Sequence, residues 1–269
     1  MRVACVMMQR NEVNALEPWI RYHAHLFGLG NLFIIDHGSD HPAVVATLAR
    51  FEGEGARVMR LPAGSDYRTK GELVSQVLRT LGGWGVYDLL LPLDCDEFLV
   101  LRGPDDRFTA EKPALEACLA LLRGQAVVPE VKENLINILG VPGRFWVLPY
   151  QKVLFTGGHV GAVDHGSHQD VSGQALVRLP TRLAYLHFHH KPYAAWAEAA
   201  REKLRPYVDV NDQAALTAFR GPGWHLVTNL QRSESAYTAM MKDGPGAVSV
   251  RGLAEIFSAL GIDPLFCER

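Results

Sequence analysis

Strand-like and helix-like runs alternate through the first hundred residues with little chain between them. That rhythm restricts the fold more than any other feature. Residues 3–8, 32–35 and 89–93 are short apolar runs, as expected of strands buried on both faces of a parallel sheet, and residues 57–61 supply another. Leu16, Trp19, Ile20, His23, Leu26 and Phe27 recur at helical spacing, and Gly28 and Gly30 stop the run. Asn14, with Glu17 three residues on, is placed to cap that helix. Pro42 opens a second helix at a position proline tolerates, and residues 70–81 form a third. Short connections and strict alternation predict an α/β chain with a doubly wound sheet flanked by helices.

The second half is less regular. Residues 109–122 read as a helix, and residues 126–131, 135–139, 145–154 and 183–189 as strands. Residues 157–173 hold five glycines and three histidines with little hydrophobic period, which predicts a loop. Helices are expected over 192–204, 213–219, 233–241 and 252–260. No linker-like tract divides the 269 residues, so one domain is expected. A 48% hydrophobic and 21% charged composition suits a soluble globular protein, and a net charge of −2 argues against nucleic acid as a partner. Cys5, Cys95, Cys118 and Cys267 are far apart and match no zinc or disulfide spacing, so reduced thiols are expected. Residue 1 leads straight into a strand-like run without a signal peptide's features, and no apolar run reaches the roughly 18 residues of a membrane span. A cytoplasmic location is therefore expected, with peripheral membrane contact left open.

Parallel sheets bind ligands beyond the carboxyl ends of their strands. Three of those ends carry polar clusters here: Arg10-Asn11-Glu12, Asp36 with Asp40, and Asp94 with Asp96. Leu89 to Leu93 ends abruptly in Asp94-Cys95-Asp96-Glu97-Phe98. Two carboxylates at one strand tip need a compensating cation, and hard oxygen ligands suit Mg²⁺ or Mn²⁺, which also hold substrate phosphates. Such a pair alone reads as a solvated acidic turn; three polar strand ends on one sheet edge describe a nucleotide-diphosphate site. Asn11, Glu12 and Asp40 could bond a base or ribose. Lys70 and Arg68, following Asp66 at a helix start, are placed either to touch the diphosphate or to stay in solvent. Lys152, Lys191 and Arg201 are equally open. Trp146, Trp196 and Trp224 suit sugar stacking or, more commonly, a core.

Met8-Gln9-Arg10-Asn11-Glu12, Leu16-Glu17-Pro18-Trp19-Ile20-Arg21-Tyr22-His23, Ile34-Ile35-Asp36-His37-Gly38-Ser39-Asp40 and Leu93-Asp94-Cys95-Asp96-Glu97-Phe98 resemble family 2-like glycosyltransferases. The match is to the subgroup with R-N-E, L-E-W-x-x-Y-H, D-N-G-S-x-D and D-x-D-E-F patterns. It is strong over residues 3–101 and fainter near Leu186-His187-Phe188-His189-His190-Lys191. His37 departs from the pattern's asparagine or aspartate. The resemblance implies a GT-A-like fold and transfer of a sugar from a nucleotide sugar, with UDP the expected nucleotide, to a glycan or other hydroxyl acceptor, usually with inversion. It makes residues 1–101 the nucleotide-sugar-binding half and 102–269 the acceptor half with the C-terminal helices. Arg10, Asn11, Glu12, Asp36, Asp40, Lys70 and Asp94 then become donor-binding residues, and Asp94 and Asp96 metal-site residues for Mn²⁺ or Mg²⁺.

Alternation in Leu186-His187-Phe188-His189 places His187 and His189 on one strand face, and His187 is the expected last metal ligand. A zinc hydrolase built from these histidines with His159, His165 or His168 would need a spacing that matches no standard zinc motif. A general base is expected from Asp164 or His165 in the glycine-rich loop, with Glu97 the remaining candidate. Two other functions stay open: a nucleotidyltransferase, which would carry a glycine-rich basic loop after the first strand, and a silent nucleotide- or sugar-binding module.

Overall fold

The computed structural model describes residues 1–62, 66–221 and 223–268, without the side chains of Tyr67, His225 and Cys267. The cysteine expectation for Cys267 thus lies outside the described residues; Cys5, Cys95 and Cys118 are free thiols. In chain order the first half runs β1 (Val3–Gln9), α1 (Leu16–Phe27), β2 (Leu32–Asp36), α2 (Pro42–Glu54), β3 (Arg57–Arg60), α3 (Lys70–Gly83), β4 (Leu89–Pro92) and β5 (Glu97–Arg102). There follow β6 (Phe108–Thr109), α4 (Lys112–Ala120), β7 (Val127–Val131), β8 (Glu133–Asn137), β9 (Arg144–Leu148), β10 (Lys152–Val153), β11 (Phe155–Thr156), β12 (Val177–Pro180) and β13 (Leu183–His187). The chain continues through α5 (Tyr193–Leu204), α6 (Gln213–Ala218), α7 (His225–Gln231), α8 (Glu234–Ala239), β14 (Val248–Arg251) and α9 (Leu253–Ala259).

The main sheet has the order β11-β4-β1-β2-β3, parallel except for β11. Alternate residues of β1 enter two separate cores. Val3, Cys5 and Met7 join Leu16, Trp19, Val44 and Leu48 of α1 and α2, whereas Ala4, Val6 and Met8 join Val74, Leu78 and Leu81 of α3. The helices therefore cover both faces, which makes the sheet doubly wound. From β1 the chain steps outward through β2 to β3, then returns on the other face to put β4 beside β1. That reversal opens a crevice at the carboxyl ends of β1 and β4, where such sheets bind ligands.

Six further strands close into a hydrogen-bonded ring in the order β13-β5-β6-β14-β9-β8, and β10-β7-β12 form a small third sheet. The ring fixes the site's other wall. β13 pairs antiparallel with β5, setting His187 opposite Glu97, and Phe188 N–H donates to the Asp96 carbonyl at 2.8 Å just beyond.

Several local expectations change. Ala15, not Asn14, is the N-cap of α1, and no side chain caps it. Glu17 instead binds Arg21 and Arg50, because two guanidiniums offer charge-assisted partners stronger than one backbone amide. The expected 145–154 strand is three pieces broken at residues 149–151 and 154. The 109–122 helix starts only at Lys112, since Phe108–Thr109 pair with β5 and β14. Residues 157–173 contain no named strand or helix, only an isolated bridge between Val163 and Asp170. This loop is nevertheless pinned at its start. Gly157 N–H bonds the Asp88 carbonyl at 2.7 Å, and a β-carbon there would stand 2.1 Å from the Tyr87 carbonyl oxygen. Replacing Gly157 by Ala must therefore push two backbone segments apart. Thermal unfolding should show a loss of about 1–3 kcal/mol, the usual cost of overpacking. An unchanged melting temperature would mean that the loop start yields freely.

Candidate functional site

At the carboxyl edge, the ends of β1 and β2 are laced together. Gln9 Nε2 donates to Asp36 Oδ1 at 2.8 Å and to Ser39 Oγ at 3.2 Å, while Ser39 Oγ accepts from Asn11 N–H at 3.0 Å. Asn11 adopts φ 53°, a left-handed conformation that asparagine tolerates better than most residues. This turns its side chain outward. Its Nδ2 donates to Asp40 Oδ1 at 2.7 Å, and its Oδ1 accepts from the amides of Asp40 and His41 at 3.1 Å each. The Asn11 amide holds the exposed Asp40 carboxyl below the usual carboxylate range, with Arg10 adding positive charge nearby. Asn11, Asp40 and exposed Arg10 form a polar lip, and Asp36 lies beneath it, buried.

The two aspartates of the β4 tip face different partners. Asp94 accepts from Lys70 Nζ through Oδ1 and from Lys152 Nζ through Oδ2, the latter at 2.9 Å. Lys152 also lies 2.9 Å from Glu97 Oε2 and donates to the Gly166 carbonyl at 2.8 Å. Glu97 Oε2 accepts from the Asp94 amide at 2.8 Å. Burial disfavours the Asp94 charge, but the Lys152 and Lys70 ammoniums outweigh it and hold the carboxyl well below its ordinary value. Burial and the Asp94 charge push Glu97 up instead, against the pull of Lys152. Burial likewise disfavours the Lys152 charge, yet the two carboxylates raise its pKa. Sequence alone leaves Lys152 open. A lysine entering the apolar run Val153-Leu154-Phe155 was the available signal, since a buried strand lysine requires an acid partner.

Asp96 instead meets the end of β13. Its Oδ2 lies 3.4 Å from His187 Nε2, and the His187 and His189 rings are 5.0 Å apart. Asp96, His187 and His189 each offer one ligand atom, and these atoms all lie within 4.8 Å of one another. Burial opposes the Asp96 charge, but His187, then Lys191 and His189, hold the carboxyl well below its usual range. His187 Nδ1 contacts Asn134 Nδ2 at 3.1 Å, while buried Asn134 Oδ1 has no partner among the described residues. Turning that amide over would let Oδ1 accept from Nδ1–H and free the Nε2 lone pair for a cation, the usual support for a metal-ligating histidine. One carboxylate and two imidazoles fit a divalent ion, and imidazole favours Mn²⁺ over Mg²⁺.

The structure thus brings Asp96 and His187 together, adds His189, and sets Asp94 in a lysine clamp beside them. It places the loop candidates on the Lys70 side. Asp164 Oδ1 accepts from the amides of His168 and Gln169 at 2.5 and 3.1 Å. Burial, with the Lys70 charge nearby, pushes the His165 imidazole down. Their loop rests on α3: Val163 N–H donates to Ser75 Oγ at 2.8 Å, and Gly71 packs against the Asp164 backbone. Glu97 is 2% exposed. Trp196 is core, packed on Tyr237 with ring centroids 4.3 Å apart; Trp224 is exposed.

The fold and site define an α/β protein with a doubly wound mixed sheet and a charged crevice at its topological switch point. No protein-family model matches the chain, and no curated protein matches it. Among solved structures it is similar to TarS from S. aureus, with TM-score 0.41 and 10% identity over 78% of this chain and 41% of that one. It also resembles TarS 1–349 in complex with UDP-GlcNAc, with TM-score 0.40 and 11% identity over 86% and 70% of the two chains. A putative glucose-1-phosphate thymidylyltransferase from Bacillus anthracis aligns with TM-score 0.29 and 12% identity over 83% and 99%. This chain spans less than half the length of the first of these. Among the described residues, no helix is long and apolar enough to cross a membrane.

Proposed function

We propose that the protein is a metal-dependent glycosyltransferase that moves a sugar from a UDP-linked donor to a glycan or other hydroxyl acceptor, with inversion. One observation carries the reading: a cation-ready Asp96–His187–His189 group beside the Lys70–Asp94 pair, at the sheet's switch point. The motif resemblance over residues 3–101 agrees with it.

In this reading Asp96, His187 and His189 hold Mn²⁺, or Mg²⁺ less well. The ion would neutralise charge that builds on the diphosphate as the glycosidic bond breaks. Asn11 and Asp40, with Arg10 beside them, bond the nucleoside, and Asp36 keeps that lip in place from below. Lys70 lies at the start of α3, where its ammonium can turn from Asp94 toward a phosphate oxygen. Asp94 holds Lys70 and Lys152 in position, and Glu97 anchors Lys152 and the Asp94 backbone.

A panel of nucleotide sugars with Mn²⁺ or Mg²⁺ tests the reaction class. Release of free UDP from one donor is expected. Pyrophosphate formation from a sugar phosphate and UTP would instead assign a nucleotidyltransferase.

A further inference from the structure

A pocket of about 200 Å³ opens between the β1–α1 connection and α5. Ala15, Phe188 and Phe266 give it an apolar floor, Ala195 one wall, and Glu12 with Lys191 a charged rim. Lys191 Nζ lies 3.2 Å from Glu12 Oε2, and about a third of the Glu12 side chain is exposed. From this arrangement, and resting on the glycosyltransferase reading, we propose that the pocket is the acceptor subsite for a sugar ring. Glu12, expected from sequence among the donor-binding residues, is then instead the group on the acceptor side that takes the proton from the attacking hydroxyl.

Sidedness carries the inference. Asp94 turns toward α3, where Lys70, Lys152 and the 157–173 loop gather. That helix covers the face bearing Ala4, Val6 and Met8. The pocket lies on the other face, because Ala15, Phe188 and Phe266 belong to the core with Val3, Cys5 and Met7. Asp96 stands between, hydrogen-bonded through its carbonyl to Phe188 of the pocket floor. Inversion requires the attacking oxygen to arrive on the sugar face opposite the leaving group, with a base beside it. A diphosphate held from the Lys70 side therefore sets the acceptor on the pocket side. Asp164 and His165 stand with the diphosphate, and Glu97 is sealed in the core. Glu12 is the carboxylate on the pocket rim.

An apolar floor under a few convergent polar groups is the usual build of a small-molecule subsite. The apolar face of a sugar ring would lie toward Phe188 and Phe266, and its hydroxyls would reach Glu12 and Lys191. In the step itself, the acceptor oxygen forms a bond to the donor's anomeric carbon. The bond from that carbon to the phosphate oxygen breaks, and its electron pair leaves with UDP. The hydroxyl proton passes to a Glu12 carboxylate oxygen and then to water.

The experiment uses the full chain and three readouts. Calorimetry with UDP and Mn²⁺ reports donor-side binding. Saturation-transfer NMR with methyl glycosides of glucose, galactose and N-acetylglucosamine, in the presence of UDP and Mn²⁺, reports the pocket. UDP release from the cleaved UDP-sugar, with the bound glycoside as acceptor, reports transfer. Glu12→Gln should leave UDP affinity and glycoside binding in place and slow transfer by roughly 10²–10⁴-fold, with partial recovery in Glu12→Asp. Ala195→Trp, at an exposed helix position, should abolish glycoside binding and keep UDP binding. Parent protein that binds UDP with Mn²⁺ but no glycoside overturns the subsite. Transfer at the parent rate in Glu12→Gln overturns the base. Parent protein that fails to bind UDP overturns the glycosyltransferase reading and the proposal with it.

Discussion

Replacing Lys152 by Met should cost about 3–5 kcal/mol of folding stability, the usual penalty for stripping one partner from a buried ion pair. The Lys152 side chain is 2% exposed and its ammonium meets Asp94, Glu97 and the Gly166 carbonyl. Met fills a similar volume but offers no donor. Glu97, equally buried, then loses its counter-ion and its tie to the loop, while Asp94 keeps Lys70. Glu97 already sits above the ordinary glutamate range, through burial and the Asp94 charge, and losing the Lys152 ammonium should push it further up. Denaturant unfolding of Lys152→Met, Glu97→Gln and the double variant measures this. The double variant should lose less than the two single losses added together, because one interaction is removed once. A Lys152→Met loss below about 0.5 kcal/mol, as at an ordinary surface position, would contradict the buried cluster.

The second large effect concerns the cation. Asp96 supplies the one negative charge among the three clustered ligand atoms, and Asp96→Asn keeps the shape while removing that charge. Loss of groups that merely support a metal ligand costs 10–100-fold in affinity. A direct ligand should cost at least about 100-fold, near 2.7 kcal/mol. Mn²⁺ titration followed by electron paramagnetic resonance reads this without any substrate. His187→Ala and His189→Ala should weaken Mn²⁺ as well, and Asp94→Asn much less, since Asp94 is already neutralised by two ammoniums. Equal losses at Asp94 and Asp96 would place the ion between the two carboxylates instead.

Much of the first hundred residues was legible because their information is local. Apolar runs fixed β1, β2 and β4, helical spacing fixed α1, and the strand tips announced the polar clusters. The division of labour between Asp94 and Asp96 was not legible, because it depends on partners far along the chain: Lys152 and His187 lie 58 and about 90 residues away. Nor was the six-stranded ring, whose β13 pairs with β5 across more than 80 residues. β12 was missed because it is only four residues long, ends in Pro180 and finds its partner β7 far back in the chain. β14 was missed as a four-residue strand whose partners, β6 and β9, are distant in sequence. Asn14 and Glu17 had cap spacing, but Arg21 and Arg50 compete for Glu17 in three dimensions.

Calorimetry of UDP against the parent protein tests the central claim most directly. With Mn²⁺ present, UDP should bind, and removing the ion with a chelator should weaken it by at least about tenfold, or 1.4 kcal/mol. Asp96→Asn should behave like the chelated parent. UDP affinity that is the same with Mn²⁺, with chelator and in Asp96→Asn would contradict a metal-assisted diphosphate site at this sheet edge.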